Sequence, residues 1–227
     1  MNVIERFDRI LSFGFYDRLN RPVLKQVLPN TVAAGNPEKY SYVSAIDSAF
    51  PLEFVFKNVA YHTKDYSSFV VSGDSMSPDG IFNGDSLLVK PSIMGTDVSI
   101  SDYIVIKVDH DFYKTRHQDY EELYQFKLRE GLFPILREMT EEEVCSQIAD
   151  RYEEFALPEY KGRVIENLRE ARAFYGKEPL FASVTFPDGK MHISFHAQSL
   201  ILGVVVVIGR RINGHLEYID PKDLQRV

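Results

Sequence analysis

The sequence predicts a mostly β fold of twisted antiparallel sheets with a helical insertion, α+β overall. Three observations predict it. Short apolar runs rich in β-branched residues recur along the chain, the strongest being Leu200–Gly209 (LILGVVVVIG). Turn signals punctuate them at Asn83-Gly84-Asp85, Pro187-Asp188-Gly189 and Asn213-Gly214. One block, near 137–178, changes to a helical pattern.

The elements follow in order. Val3, Ile4, Phe7, Ile10 and Leu11 have helical spacing and predict a short amphipathic helix over 2–12. Gly14 to Arg21 reads as a break, and Pro22–Leu28 as a further helical turn or an extended segment. Residues 1–34 are too few for a three-helix DNA-reading head, so they are expected to form an N-terminal arm, with the folded domain over 35–227. Residues 31–70 read as loop and irregular strand. Strands are predicted at Ser68–Val71, Ser86–Lys90, Tyr103–Val108 and Leu123–Leu128, with a polar stretch, Asp109–Glu122, as an insertion.

The helical block opens with a capping box. Thr140 is the N-cap and Glu143 reaches back from three residues on, predicting one helix from Glu141 to about Phe155. A second runs from Pro158 to about Phe174, stopped by Gly176 and Pro179. Strands return at Phe181–Phe186, Met191–His196 and Ile201–Ile208.

Composition bounds the function. Of 227 residues, 44% are hydrophobic and 26% charged, ordinary for a globular protein with a sizeable core. The net charge of -7 argues against a protein that binds DNA directly over a broad basic face. A single cysteine, Cys145, excludes an intrachain disulfide and suits the cytoplasm. Charged residues are mixed through Met1–Phe13, so no secretory signal is expected. Leu200–Gly209 is half the length of a membrane span, so no membrane partner is expected.

Phe69–Lys90 (FVVSGDSMSPDGIFNGDSLLVK) carries the most chemistry. Ser75 follows a strand directly, at a tight turn. Its hydroxyl is then exposed as a nucleophile, and the backbone N–H groups of Ser75 and Met76 can form an oxyanion hole. Asp74 reads as a turn former. No Gly-x-Ser-x-Gly elbow and no histidine triad context accompany it, so a lysine kept neutral by burial is the candidate base. Lys127, flanked by Phe126 and Leu128, leads, with Lys90, Lys107 and Lys114 as competitors. His192 and His196 share a strand face, but no third ligand is in view, so neither a metal nor a cofactor is expected. Cys145 reads as a buried structural thiol, and the charged stretch Arg163–Arg172 as a solvated helix face or a docking surface.

The segment Gly73–Lys90 resembles the nucleophile region of the LexA/UmuD family of self-cleaving serine peptidases. Tyr103–Asp109 and Ile201–Arg210 resemble that family's core strands, and Gln125–Arg129 the strand bearing its catalytic lysine. In that register the resemblance selects Lys127. Val32-Ala33-Ala34-Gly35, with Pro37 soon after, resembles the LexA-type cleavage sequence. Small residues at Ala34 and Gly35 let the scissile bond enter a narrow cleft and turn there.

The resemblance implies the family's peptidase fold, a Ser75–Lys127 dyad and cleavage between Ala34 and Gly35. It also implies a homodimer, a DNA-damage role, and stimulation by a RecA filament. Without a DNA-binding head, the expected effect of cutting is to switch a partner interaction, such as one with an error-prone polymerase. The alternative from another class is a non-catalytic dimeric regulatory or partner-binding module, repressor-like and of phage or mobile-element type, that keeps the fold.

Overall fold

The computed structural model describes residues 30–33, 50–92, 95, 97–116, 126–156 and 158–224. The helix expected over 2–12 and the bond between Ala34 and Gly35 lie outside the described residues. The strands are β1 (Asn30–Ala33), β2 (Glu53–Phe56), β3 (Val59–His62), β4 (Ser67–Ser72), β5 (Ser86–Pro91) and β6 (Tyr103–Lys107). They continue as β7 (Phe126–Ile135), β8 (Leu180–Thr185), β9 (His192–Ala197), β10 (Ile201–Ile212) and β11 (His215–Ile219). The α-helices are α1 (His110–Arg116), α2 (Glu141–Ala149) and α3 (Pro158–Tyr175). The chain is thus mostly β, with antiparallel pairing everywhere except at β1.

The large sheet runs β1-β4-β5-β10-β6-β7-β8-β9, and β11 also pairs with β10. It curls until β1, parallel to both neighbours, bridges β4 and β7. Strand alternation sends Phe69, Val71, Leu87, Val89, Val105, Leu128, Val205 and Ile208 into one buried cluster, joined by Met76 and Ile81. Each such side chain contributes about 1.5–3 kcal/mol on burial, so this cluster fixes the register of the strands. Gly203 sits where β10 passes between β5 and β6. A Cβ there would lie 2.1 Å from the Lys90 carbonyl oxygen, so only glycine admits this approach.

Beyond β7 the sheet continues as a β7-β8-β9 meander. Its second apolar cluster takes Leu132, Ala182, Val184, Ile193 and Phe195 from the strands and Val144, Cys145, Ile148, Val164 and Leu168 from α2 and α3. The capping box forms as read: Thr140 Oγ1 accepts from Glu143 N–H, and Thr140 N–H donates to Glu143 Oε2 at 2.7 Å. Asn213 and Gly214 both have positive φ and close the β10–β11 hairpin.

Four segments differ from the sequence expectation. The helix expected from Glu141 to about Phe155 ends at Ala149, and Glu153–Ala156 forms a separate 3-10 turn. Asp109–Glu122 is not merely a polar loop, because Asp109 Oδ1 accepts from Phe112 N–H and α1 follows. The strand expected to end at Leu128 runs on to Ile135, because Arg129 and Glu130 are buried despite their charge. Residues 53–62 form a regular hairpin, β2–β3, turning at Lys57 and Asn58. Its Phe54 stacks with Phe50, Tyr61 and Tyr218, and Phe56 meets the Tyr218 ring edge-on. No described helix is long and apolar enough to cross a membrane.

Candidate functional site

Ser75 lies in the excursion between β4 and β5, and it is buried, only 5% exposed, where the sequence reading expects an exposed hydroxyl. Val71 closes that excursion at its base, donating to the Asp85 carbonyl at 2.8 Å and accepting from Gly84 N–H at 2.9 Å. Gly73 turns the chain out of β4 with φ 92°, and its N–H donates to Asn83 Oδ1. A short 3-10 turn, Ser77–Asp79, follows, and Gly80 ends it in the left-handed region. Met76 and Ile81, both fully buried, pin the loop to the core. Among the described residues, the N–H groups of Ser75 and Met76 donate to no backbone carbonyl.

Two contacts brace this loop. Asp85, almost wholly buried, takes a two-pronged ion pair from Arg210 of β10, at 2.9 Å to Oδ1 and 2.6 Å to Oδ2. Arg210 also donates to the Gly80 carbonyl at 2.6 Å and lies 4.5 Å over the Phe82 ring. Its guanidinium pKa is raised, chiefly by the hydrogen bond to Asp85. The second brace is backbone: Phe186 N–H, just past β8, donates to the Ser75 carbonyl at 2.8 Å.

Lys127 is the second residue of β7 and is half-buried. Its competitors Lys90, Lys107 and Lys114 are all exposed. Lys127 is thus the least exposed of the four lysines weighed as candidate bases. Lys127 pairs with Ile106 of β6 on one edge and with Ala33 of β1 on the other. Ala33 pairs in turn with Ser72, three residues before Ser75. One backbone position, next to Ala34, thus bridges the strand feeding the serine loop and the strand bearing the lysine.

The edge of β7 has a further property. β6 occupies one edge from Phe126 to Glu130. On the other edge Ala33 stands at Lys127, and β8 begins to pair at Glu130 opposite Val184. Between them, alongside Leu128 and Arg129, the two strands point at each other end to end. Sequence reasoning missed Arg129, Thr185 and Phe186 here. Arg129 and Lys127 share a strand face, two positions apart, and that spacing was the available signal.

The remaining candidates lie elsewhere. His196 is buried with its Nε2 2.9 Å from Ser183 Oγ, and His192 Nδ1 is 3.3 Å from Ser194 Oγ. Among the described residues no group of His, Cys, Asp or Glu is arranged to hold a metal. Cys145 is buried in α2, and burial raises its thiol pKa. No family model, curated protein or solved structure matches this chain.

Proposed function

We propose that this chain is a self-cleaving serine peptidase in which Ser75 attacks the Ala34 carbonyl and Lys127 serves as its base. The observation that carries this reading is the double pairing of Ala33, with Ser72 on one side and Lys127 on the other. An extended segment held between two strands is the usual way a peptidase presents its substrate backbone. Holding substrate and nucleophile on one chain also raises their effective concentration.

Neutral Lys127 takes the Ser75 proton as Oγ bonds to the Ala34 carbonyl carbon. The oxyanion is met by the N–H groups of Ser75 and Met76. The Ala34–Gly35 bond breaks, and Gly35 leaves as an amine carrying the proton from Lys127. Water then hydrolyses the acyl-serine. The family resemblance extends the proposal to a cytoplasmic homodimer, with no metal or cofactor in the reaction. It further brings stimulation by a RecA filament and a switched interaction with a partner such as an error-prone polymerase.

Intact mass spectrometry of the full chain tests the chemistry. Fragments 1–34 and 35–227 are expected in the wild type, faster at about pH 10 than at about pH 7, because the base acts unprotonated. Ser75→Ala and Lys127→Ala should both stay whole. A rate flat across that range overturns the lysine assignment. A wild type left uncut with an activated RecA filament overturns the peptidase. That outcome would favour the non-catalytic partner-binding module, for which the β2–β3 hairpin, with Val55 and Val59 exposed, offers a surface.

A further inference from the structure

Arg129 is only 4% exposed, yet it has no carboxylate partner among the described residues. Its Nη1 donates to Thr185 Oγ1 at 3.4 Å, and its buried Nε has no acceptor. Arg169 and Arg210, both better exposed, each have a two-pronged carboxylate. Burying a guanidinium without an anion is costly, so an uncompensated one calls for a use.

Arg129 stands two positions along β7 from Lys127 and on the same face, roughly 6.6 Å away along the strand. The opposite face sends Leu128 into the core and Glu130 to Tyr152, whose hydroxyl donates to Oε2 at 3.1 Å. The strands beside the pair bring no negative charge to its face. Ile106 and Ile104 of β6 lie next to Lys127 and Arg129. Ala33 of β1 pairs with Lys127, with Ser72 of β4 beyond it. Thr185 of β8 meets Arg129, and Ser183 pairs with Gly131. On β9 the titratable groups are His192, opposite Thr185, and His196, opposite Phe181, and a histidine charge is positive. The Ser75 loop carries Asp74, which is exposed, Asp79, and Asp85, which Arg210 neutralises.

We infer that Arg129 acts through Lys127: its buried cation disfavours a second positive charge on that strand face and so keeps the base neutral. A guanidinium is a permanent cation, which suits it to this task. Arg129 is thus a positioning residue for the proton, and its part in cutting rests on the self-cleavage reading. With the two charges roughly 7–10 Å apart and an effective dielectric of about 20, repulsion lowers the Lys127 titration midpoint by about one to two pH units. The neutral fraction at pH 7 rises about tenfold to a hundredfold. This effect adds to those of the other groups around Lys127 and does not depend on them. The same repulsion helps Lys127 hand the serine proton to the leaving amine, which returns the base to its neutral form.

Two measurements test this. The first needs no cut: full-length Ser75→Ala chain with isotope-labelled lysines is titrated by NMR, and Lys127→Ala assigns the signal. Adding Arg129→Gln should raise the Lys127 midpoint by about one pH unit or more. Adding Thr185→Val removes a hydrogen bond of Arg129 but keeps its cation, and should move the midpoint by less than about 0.3 pH units. A merely structural role would make the two variants act alike. Equal midpoints with and without Arg129 overturn the inference. Arg129→Met, neutral and apolar, is carried beside Arg129→Gln, so that a fold lost in one leaves the other to decide.

The second follows self-cutting against pH by intact mass. Arg129→Gln should shift the rate profile to higher pH by the same interval, with an unchanged plateau. A profile lowered but unshifted overturns the inference. A midpoint shift in a chain that never cuts removes the peptidase alone.

Discussion

Asp85→Ala should cost about 3 kcal/mol of stability, at the lower end for breaking a buried ion pair. The estimate follows from the surroundings of Asp85. Its side chain is 4% exposed, whereas that of Arg210 is 20% exposed and keeps some hydration when its partner goes. The substitution strands two Arg210 donors and the Phe82 N–H, which donates to Oδ2 at 2.9 Å. For a chain of this size the loss lowers the melting temperature by roughly 6–12 °C. Urea unfolding at neutral pH of Asp85→Ala, Arg210→Met and the double variant Asp85→Leu/Arg210→Met measures it. The double variant should regain most of the stability, since an apolar pair avoids the desolvation cost. On the proposed self-cleavage, cutting in the double variant should be slower than in the wild type, because Gly80 has lost the donor that anchors the Ser75 loop. A single-variant cost under about 1 kcal/mol, or a double variant equal to the sum of the singles, would refute the reasoning.

Three further outcomes are expected. Gly203→Ala should destabilise by roughly 2–4 kcal/mol, as a methyl group cannot share space with the Lys90 carbonyl and both flanking strands must shift; a melt within a degree of wild type would contradict it. The Glu143 carboxyl is held below its ordinary 4.5, first by the Thr140 backbone N–H and then by the Thr140 side chain. Its contribution to α2 is therefore present above about pH 4.5 and lost as pH falls through the lower folded value, and Glu143→Gln, which removes the titrating carboxyl, should flatten that part of the stability–pH curve. Cys145, raised by burial, should resist thiol reagents at about pH 8 until the chain is unfolded; labelling at the rate of a free thiol in native buffer would contradict its place in the core.

How far the sequence reached depended on whether the deciding interaction was local. The alternation around Ser86–Lys90 and Ile201–Ile208, the Asn213-Gly214 turn and the Thr140/Glu143 capping box act within a few residues, and each is legible without a fold. Ser75 was legible for the same reason, as a serine at a strand-to-turn junction, and Lys127 as a lysine flanked by apolar residues. The β7 continuation was not, because Arg129-Glu130-Gly131 breaks the apolar pattern and only tertiary burial overrides it. Helix α1 was hidden by its polar composition, and the β2–β3 hairpin because its aromatic side chains gain their partners from Phe50 and Tyr218, far apart in sequence.

By itself, then, the sequence determined the strand-rich class, the turn positions and the helical block. Only the tertiary structure decided which lysine is least exposed, that Ala33 lies between Ser72 and Lys127, and that Arg129 is buried with no carboxylate partner among the described residues. Those facts depend on the register between strands far apart along the chain. That register is set by closing the sheet over a shared core, to which no single segment holds enough information.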